Sequence, residues 1–187
     1  MFGQTLLNII KMFANLYLRE GLMVSRVVWE KRFLLKLKNM LDTTHQKGLS
    51  TELHCLQDFI ELGFQCLTPF GDSCKYDIAV DINGKFIRIQ CKTAHWSTDT
   101  MNEKVAFEIN TNCQTTNTQK TIRHKYNNEQ IDYFYTYFNG QGYLVSIEEA
   151  TGLRFRWRYE YPSTGQKKGI HIADNYKIEE VVKTLII

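Results

Sequence analysis

The stretch KYDIAVDINGKFIRIQCKT, residues 75–93, constrains this chain more than any other. Asn83-Gly84 sits between two runs in which apolar and polar residues alternate. Asn-Gly suits the two left-handed backbone positions of a tight hairpin turn, whose twist matches that of the flanking strands. A two-residue turn leaves no choice of register. Ile82 must oppose Lys85, and counting outward Asp77 opposes Gln90. Side chains alternate across a strand, so Lys92 shares the face of Gln90. An acid, an amide and an amine thus converge from spacing alone. The other face carries Tyr76, Ile78, Val80, Ile87, Ile89 and Cys91, an apolar set expected to pack on a helix.

That helix should precede the hairpin. Residues 49–63, LSTELHCLQDFIELG, are expected to be helical, with Ser50 as N-cap and Gly63 as the C-terminal stop. Leu53, Leu56, Phe59 and Ile60 form the expected buried stripe. Glu52 stands one turn from Leu56 and two from Phe59, so it borders that stripe and can face the sheet. Carboxylates with a few other oxygen ligands suit Mg²⁺, which keeps several waters and binds phosphate oxygens. A nearby ammonium can orient an attacking water and offset charge on a pentavalent phosphate. Taken singly, each residue has a plainer reading: Glu52 favouring a helix start, Asp77 and Lys92 as a surface pair, Gln90 as an exposed strand residue.

Further strands are expected at 64–68, 105–110, 131–138, 142–146 and 153–159. Asn139-Gly140 marks a second hairpin, a polar loop fills 111 to about 121, and a short helix starts near Lys177. The sum is a mixed α/β domain around one sheet. The 187 residues suffice for one domain with a substantial core. Five cysteines without a CxxC pair read as reduced thiols packed like small apolar residues, and their spacing to the histidines does not suit zinc. No run approaches the roughly 20 apolar residues of a membrane span. Lys11 and Arg19 interrupt any signal-peptide pattern. A cytoplasmic protein without membrane contact is expected.

Charge divides unevenly. Residues 1–48 carry eight basic and three acidic side chains, so the other 139 hold a net −2 of the chain's +3. Residues 1–46 read as a basic, helix-prone extension, with Phe33, Leu34, Leu37 and Leu41 on one stripe. It is either an appended helix or sequence upstream of a start at Met23 or Met40, rather than a DNA-gripping arm. Residues 47–187 are the main domain. There, Arg154, Arg156 and Arg158 alternate with Leu153, Phe155, Trp157 and Tyr159. Three guanidiniums on one strand face form a candidate phosphate contact, or else an ordinary solvated face. Lys167 and Lys168 follow, and Lys120, Arg123, His124 and Lys125 form a second basic cluster. Thr93, His95 and Trp96 leave the active strand toward either substrate or packing. The aromatic run 131–138 fits an oligomer interface and a doubly covered central strand equally.

Glu, then Asp, then Q-x-K after a hairpin is the pattern of PD-(D/E)xK nucleases. KGLSTELHCLQDFIELGF, KYDIAVDINGKFIRIQCKTA, IDYFYTYF and LRFRWRYEYPSTGQKKGIHIADNYKI resemble the bacterial endonucleases of that superfamily associated with group I introns. Tyr76 replaces the usual proline, and Gln90 the usual third acid. The resemblance covers about 47–185. It implies a restriction-endonuclease-like core, with a mixed central sheet flanked by helices, and cleavage of double-stranded DNA by a dimer or tetramer bound to the nucleoid. It implies Mg²⁺, with Mn²⁺ as substitute, held by Asp77 and the Cys91 backbone carbonyl. Glu52 would hold water at the metal, Lys92 would orient the nucleophile, and Gln90 would position water or a weaker metal contact. A glutamine in place of an acid should weaken metal binding and leaves one- and two-metal schemes open. A junction-resolving or repair nuclease of the same superfamily is the alternative reading; a non-catalytic DNA-binding module is another.

Overall fold

The computed structural model describes residues 44–70, 74–97, 104–117 and 120–186, with the side chains of 114–123 excepted. Of the expected N-terminal extension, 1–46, residues 1–43 lie outside the described residues, and 44–46 belong to the first helix. Helix α1 (Thr44–Glu61) leads into strands β1 (Gln65–Leu67), β2 (Ile78–Ile82), β3 (Lys85–Cys91), β4 (His95–Trp96), β5 (Ala106–Asn110), β6 (Asn112–Asn117) and β7 (Lys120–Lys125). Strands β8 (Tyr133–Phe138), β9 (Gln141–Ser146), β10 (Arg154–Arg158) and β11 (His171–Ile172) follow, then a 3₁₀ turn and helix α2 (Ile178–Ile186).

The hairpin register is as the turn requires. Ile82 pairs with Lys85, and Ile78 with Ile89. Asn83 and Gly84 adopt φ of 55° and 83°, the paired left-handed geometry. Asn139 and Gly140, with φ of 53° and 86°, repeat the device between β8 and β9. The strands form a five-stranded sheet, β1-β2-β3-β8-β9, in which only β3 and β8 run parallel.

One face of that sheet carries Ile78, Val80, Ile87, Ile89, Cys91, Tyr135 and Leu144. Cys55 and Phe59 of α1 and Ile178 and Val182 of α2 cover it. The other face meets a second sheet, β11-β10-β5-β4, through Phe134, Tyr143 and Val145 against Phe107, Ile109, Phe155 and Trp157. The layers are helices, sheet, sheet. The expected single sheet is thus two, and both helices lie on one face. Strand β8 has Tyr135 in one core and Phe134 in the other, so double coverage accounts for its aromatic run. Tyr76 packs with the second core, not with Ile78 and Val80. The polar stretch after residue 111 is a two-stranded ribbon, β6-β7, rather than a loop. It lacks an apolar face, so alternation could not reveal it.

Helix α1 begins six residues before the expected cap, leaving Ser50 inside it. Its buried line is Thr51, Cys55 and Phe59, while Leu53 and Ile60 are about 60% exposed. Small residues allow close approach to the sheet, which volume-weighted reading of leucines overlooks. The stop is as expected. Gly63 has φ of 88°, its N–H donates to Ile60 O, and Phe64 N–H donates to Phe59 O. The rings of Phe59 and Phe64 close this cap edge to face, with centroids 6.3 Å apart. Tyr135 Oη donates to Asp58 Oδ2 at 2.6 Å, tying α1 to β8. Gly142 is obligatory beside it, since a Cβ there would sit 2.1 Å from Asp58 Oδ2.

Candidate active site

The site is built where β3 ends. Cys91 and Cys55 of α1 are both buried in the same core. Glu52 stands one helical turn before Cys55 and is brought to the end of β3 by that packing. Its carboxylate accepts no hydrogen bond among the described residues. Asp77 enters β2, its N–H donating to Ile89 O at 2.9 Å. Its Oδ2 accepts from Cys91 N at 2.7 Å and from Gln90 Nε2 at 2.5 Å. Asp77 Oδ1 has no protein donor among the described residues.

The electrostatics of the group follow from burial and from its two acids. Burial pushes the Asp77 carboxyl up to about 6; the Glu52 charge adds to the rise, while the Cys91 N–H, Lys92 and Gln90 oppose it. Gln90 Nε2 also donates to the Cys91 carbonyl oxygen at 3.3 Å. One positive pole is therefore shared by the Asp77 oxygen and the Cys91 carbonyl. These oxygens, with Glu52 and the Gln90 side-chain oxygen, are the donor types Mg²⁺ prefers. No trio of His, Cys, Asp or Glu side chains among the described residues could hold a metal. A cation here would rely on two carboxylates plus amide and carbonyl oxygens.

Lys92 completes the group. Its N–H donates to Tyr135 O at 2.9 Å. Its ammonium donates to Tyr126 Oη at 3.2 Å and Asn112 O at 3.4 Å, and lies 4.9 Å from the Tyr126 ring centroid. Burial lowers its pKa, with the Asp77 charge opposing that shift. Tyr126 is itself shifted upward, chiefly by burial. Tyr126 and Asn112 were not foreseeable, because they flank a ribbon that the sequence disguises as a loop. The segment after Tyr126 is fixed by Arg88, on the Gln90 face. Arg88 binds Asp132 at 2.8 Å and donates to the carbonyls of Asn128 and Glu129.

The basic candidates separate. Arg154 and Arg156 alternate as expected but converge on Glu108, whose side chain has no exposure. Arg154 Nη1 donates to Oε1 at 2.9 Å, and Arg156 Nε to Oε2 at 3.0 Å. Arg158 donates to Glu160 O at 3.2 Å. His95 Nε2 lies 3.4 Å from Glu108 Oε1, and Trp96 packs on Phe138, so packing accounts for Trp96. Lys167 lies over Tyr161, and Lys168 is exposed. Lys125 donates to Thr151 O at 3.1 Å. The side chains of Lys120 and Arg123 lie outside the described residues.

The sequence model of the PD-(D/E)XK endonuclease family matches residues 42–179. Among solved structures, the bacterial homing endonuclease I-Ssp6803I aligns with a TM-score of 0.62 and 19% identity, covering 77% of this chain and 93% of that one. The likeness is one of fold. No curated protein matches by sequence.

Proposed function

The chain belongs to the PD-(D/E)XK endonuclease family, and on that premise we propose that it is a Mg²⁺-dependent, intron-associated homing endonuclease that hydrolyses double-stranded DNA. The observation that carries the site is that Gln90 Nε2 donates both to Asp77 Oδ2 and to the Cys91 carbonyl, which draws these oxygens together, beside a Glu52 carboxylate without a donor among the described residues. Asp77, Glu52 and the Cys91 carbonyl would hold the metal, with Mn²⁺ as a substitute. Bound there, the cation supplies positive charge for phosphoryl oxygens and acidifies water.

The protein's own groups do the rest. Lys92, held by Tyr126 and Asn112, orients the attacking water and stabilises charge growing on the phosphate. Gln90 fixes the Asp77 carboxylate and orients water. Arg154, Arg156, Arg158, Lys167, Lys168 and the β7 cations Lys120, Arg123 and Lys125 contact backbone phosphates. One such site cuts one strand, so a double-strand break takes two protomers, in a dimer or tetramer. Residues 1–43 are an appended basic segment, and the nuclease domain takes in helix α1 from Thr44, three residues before the expected boundary at 47. No helix of the described residues is long and apolar enough to cross a membrane.

The test is cleavage of plasmid and linear duplex in Mg²⁺. Wild type should nick or cut. Asp77→Ala and Lys92→Ala should bind DNA and fold but not cut. Wild-type rates in either variant would remove that residue from the site. A four-way junction cut faster than duplex would favour the resolving nuclease instead.

A further inference from the structure

Glu108 is a buried acid for which the hydrolytic site has no use. It lies in β5 between Phe107 and Ile109, both wholly buried in the second core. Its own side chain points to the opposite face. There the strand register aligns three residues in one row: Arg156 opposite Glu108, and His95 opposite Glu108 from the other side. Arg154 reaches into the row from two residues away. Each carboxylate oxygen takes one arginine, at 2.9 Å for Arg154 on Oε1 and 2.9 Å for Arg156 on Oε2.

The exposures run in layers. Glu108 has none, while Arg156 is 38% and Arg154 56% exposed. Burial alone would raise the Glu108 carboxyl, but the Arg156 hydrogen bond and the charges of both arginines hold it below the ordinary range. One anion thus underlies two cations. If stability were all that mattered, an apolar residue could fill such a position at least as well. What the carboxylate supplies is direction. Two long, rotamer-rich side chains, both partly exposed, are held to one carboxylate. The arginines line a cleft of about 410 Å³ together with Arg158, His171 and one further acid, Glu149.

We propose that Glu108 is a positioning residue for substrate. It pre-orients Arg154 and Arg156 as a fixed pair that takes backbone phosphates of DNA in the cleft beside β10. The proposal rests on the nuclease reading above and adds the group that organises its phosphate contacts. Fixing the guanidiniums before binding removes the ordering cost that free arginines would incur.

Removing Glu108 separates position from charge, because the two predict opposite signs. Glu108→Gln deletes a negative charge beside a polyanion. If only summed charge matters, DNA binding tightens. If position matters, binding weakens by about five- to tenfold, with the effect on KM rather than kcat. Affinity for a duplex would be measured across a salt series with Ca²⁺ replacing Mg²⁺, normalised to the folded fraction from melting curves. Arg156→Lys is the second variant: it keeps the charge but loses the fork on Glu108, and should weaken binding by a comparable factor. Binding of Glu108→Gln that equals or exceeds wild type overturns the proposal. So does wild-type binding by Arg156→Lys, which decides the matter if Glu108→Gln fails to fold. Wild-type protein that binds no duplex would remove the nuclease reading itself, and this inference with it.

Discussion

Asp77 and Glu108 are both carboxylates drawn largely out of solvent, one at the mouth of the hairpin and one in the second sheet, and the chain treats them oppositely. Around Asp77 it gathers another acid, two neutral donors and a lysine turned toward Tyr126 and Asn112; the carboxyl rises to about 6. Around Glu108 it gathers two arginines, and the carboxyl falls below its usual range. Desolvation acts to raise both carboxyls, so burial does not distinguish them. The difference is whether the compensating cation is part of the chain. Glu108 is provided for internally and needs nothing further. Asp77 has a second acid beside it and no guanidinium bound to it among the described residues, the charge balance that its proposed role as a metal ligand calls for.

The largest effects should break this contrast at its chemical end. Asp77→Ala or Lys92→Ala should lower single-turnover cleavage by about a thousandfold or more, with DNA affinity in Ca²⁺ kept within a few fold. Stability should then move in opposite directions at the two acids. In metal-free buffer at pH 7, Asp77→Asn should stabilise the fold by about 1–3 kcal/mol, because it removes a carboxylate that burial penalises enough to push its pKa up to about 6. Glu108→Gln should destabilise it by about 1–3 kcal/mol, since it leaves two arginines without their anchor. Urea unfolding of both variants checks the signs. Equal signs would mean that the two acids are not the opposites described.

The pH windows sharpen the same contrast. A raised folded-state pKa favours the protonated fold, so the Asp77 contribution is full below about 4 and lost as pH rises through about 6. The lowered Glu108 contributes stability above its unfolded value, and loses it as pH falls through its depressed folded value. The stability gap between Asp77→Asn and wild type should therefore open between about pH 4 and 6. The gap for Glu108→Gln should close only in stronger acid. Protons should also compete with Mg²⁺ at Asp77, so that metal affinity measured by titration calorimetry falls below about pH 6.

The candidate hydrolytic site was legible because a two-residue turn determines pairing without reference to the rest of the fold. Once Asn83-Gly84 is read, Asp77, Gln90 and Lys92 have no freedom to diverge. The buried line of α1 was misread because Thr51 and Cys55 carry less apolar weight than Leu53 and Ile60, although close helix–sheet approach favours the smaller pair. The second sheet was hidden for another reason. Its strands β5 and β10 were visible one by one, but their partnership is set by a long-range register that no local turn announces. The pairing of Glu108 with Arg154 and Arg156 depends on that register, so the alternation of the arginines could be read but their shared partner could not. The Tyr126 contact escaped for want of any apolar face on the β6-β7 ribbon.

The smallest expected effect tests whether the three arginines of β10 are equivalent. Arg154 and Arg156 are pinned to Glu108, whereas Arg158 donates to the backbone carbonyl of Glu160. A guanidinium without an anionic anchor must be ordered by the substrate itself, and that entropy offsets much of the Coulomb gain. Arg158→Ala should then weaken duplex binding by only about two- to threefold, with the salt slope reduced by less than one counterion. Arg156→Ala should cost more affinity and close to one full unit of slope. If all three alanine variants behave alike, the strand acts through its summed charge and the pinning by Glu108 is only structural. A graded series, steepest at Arg156, is what a carboxylate acting as a positioning residue requires.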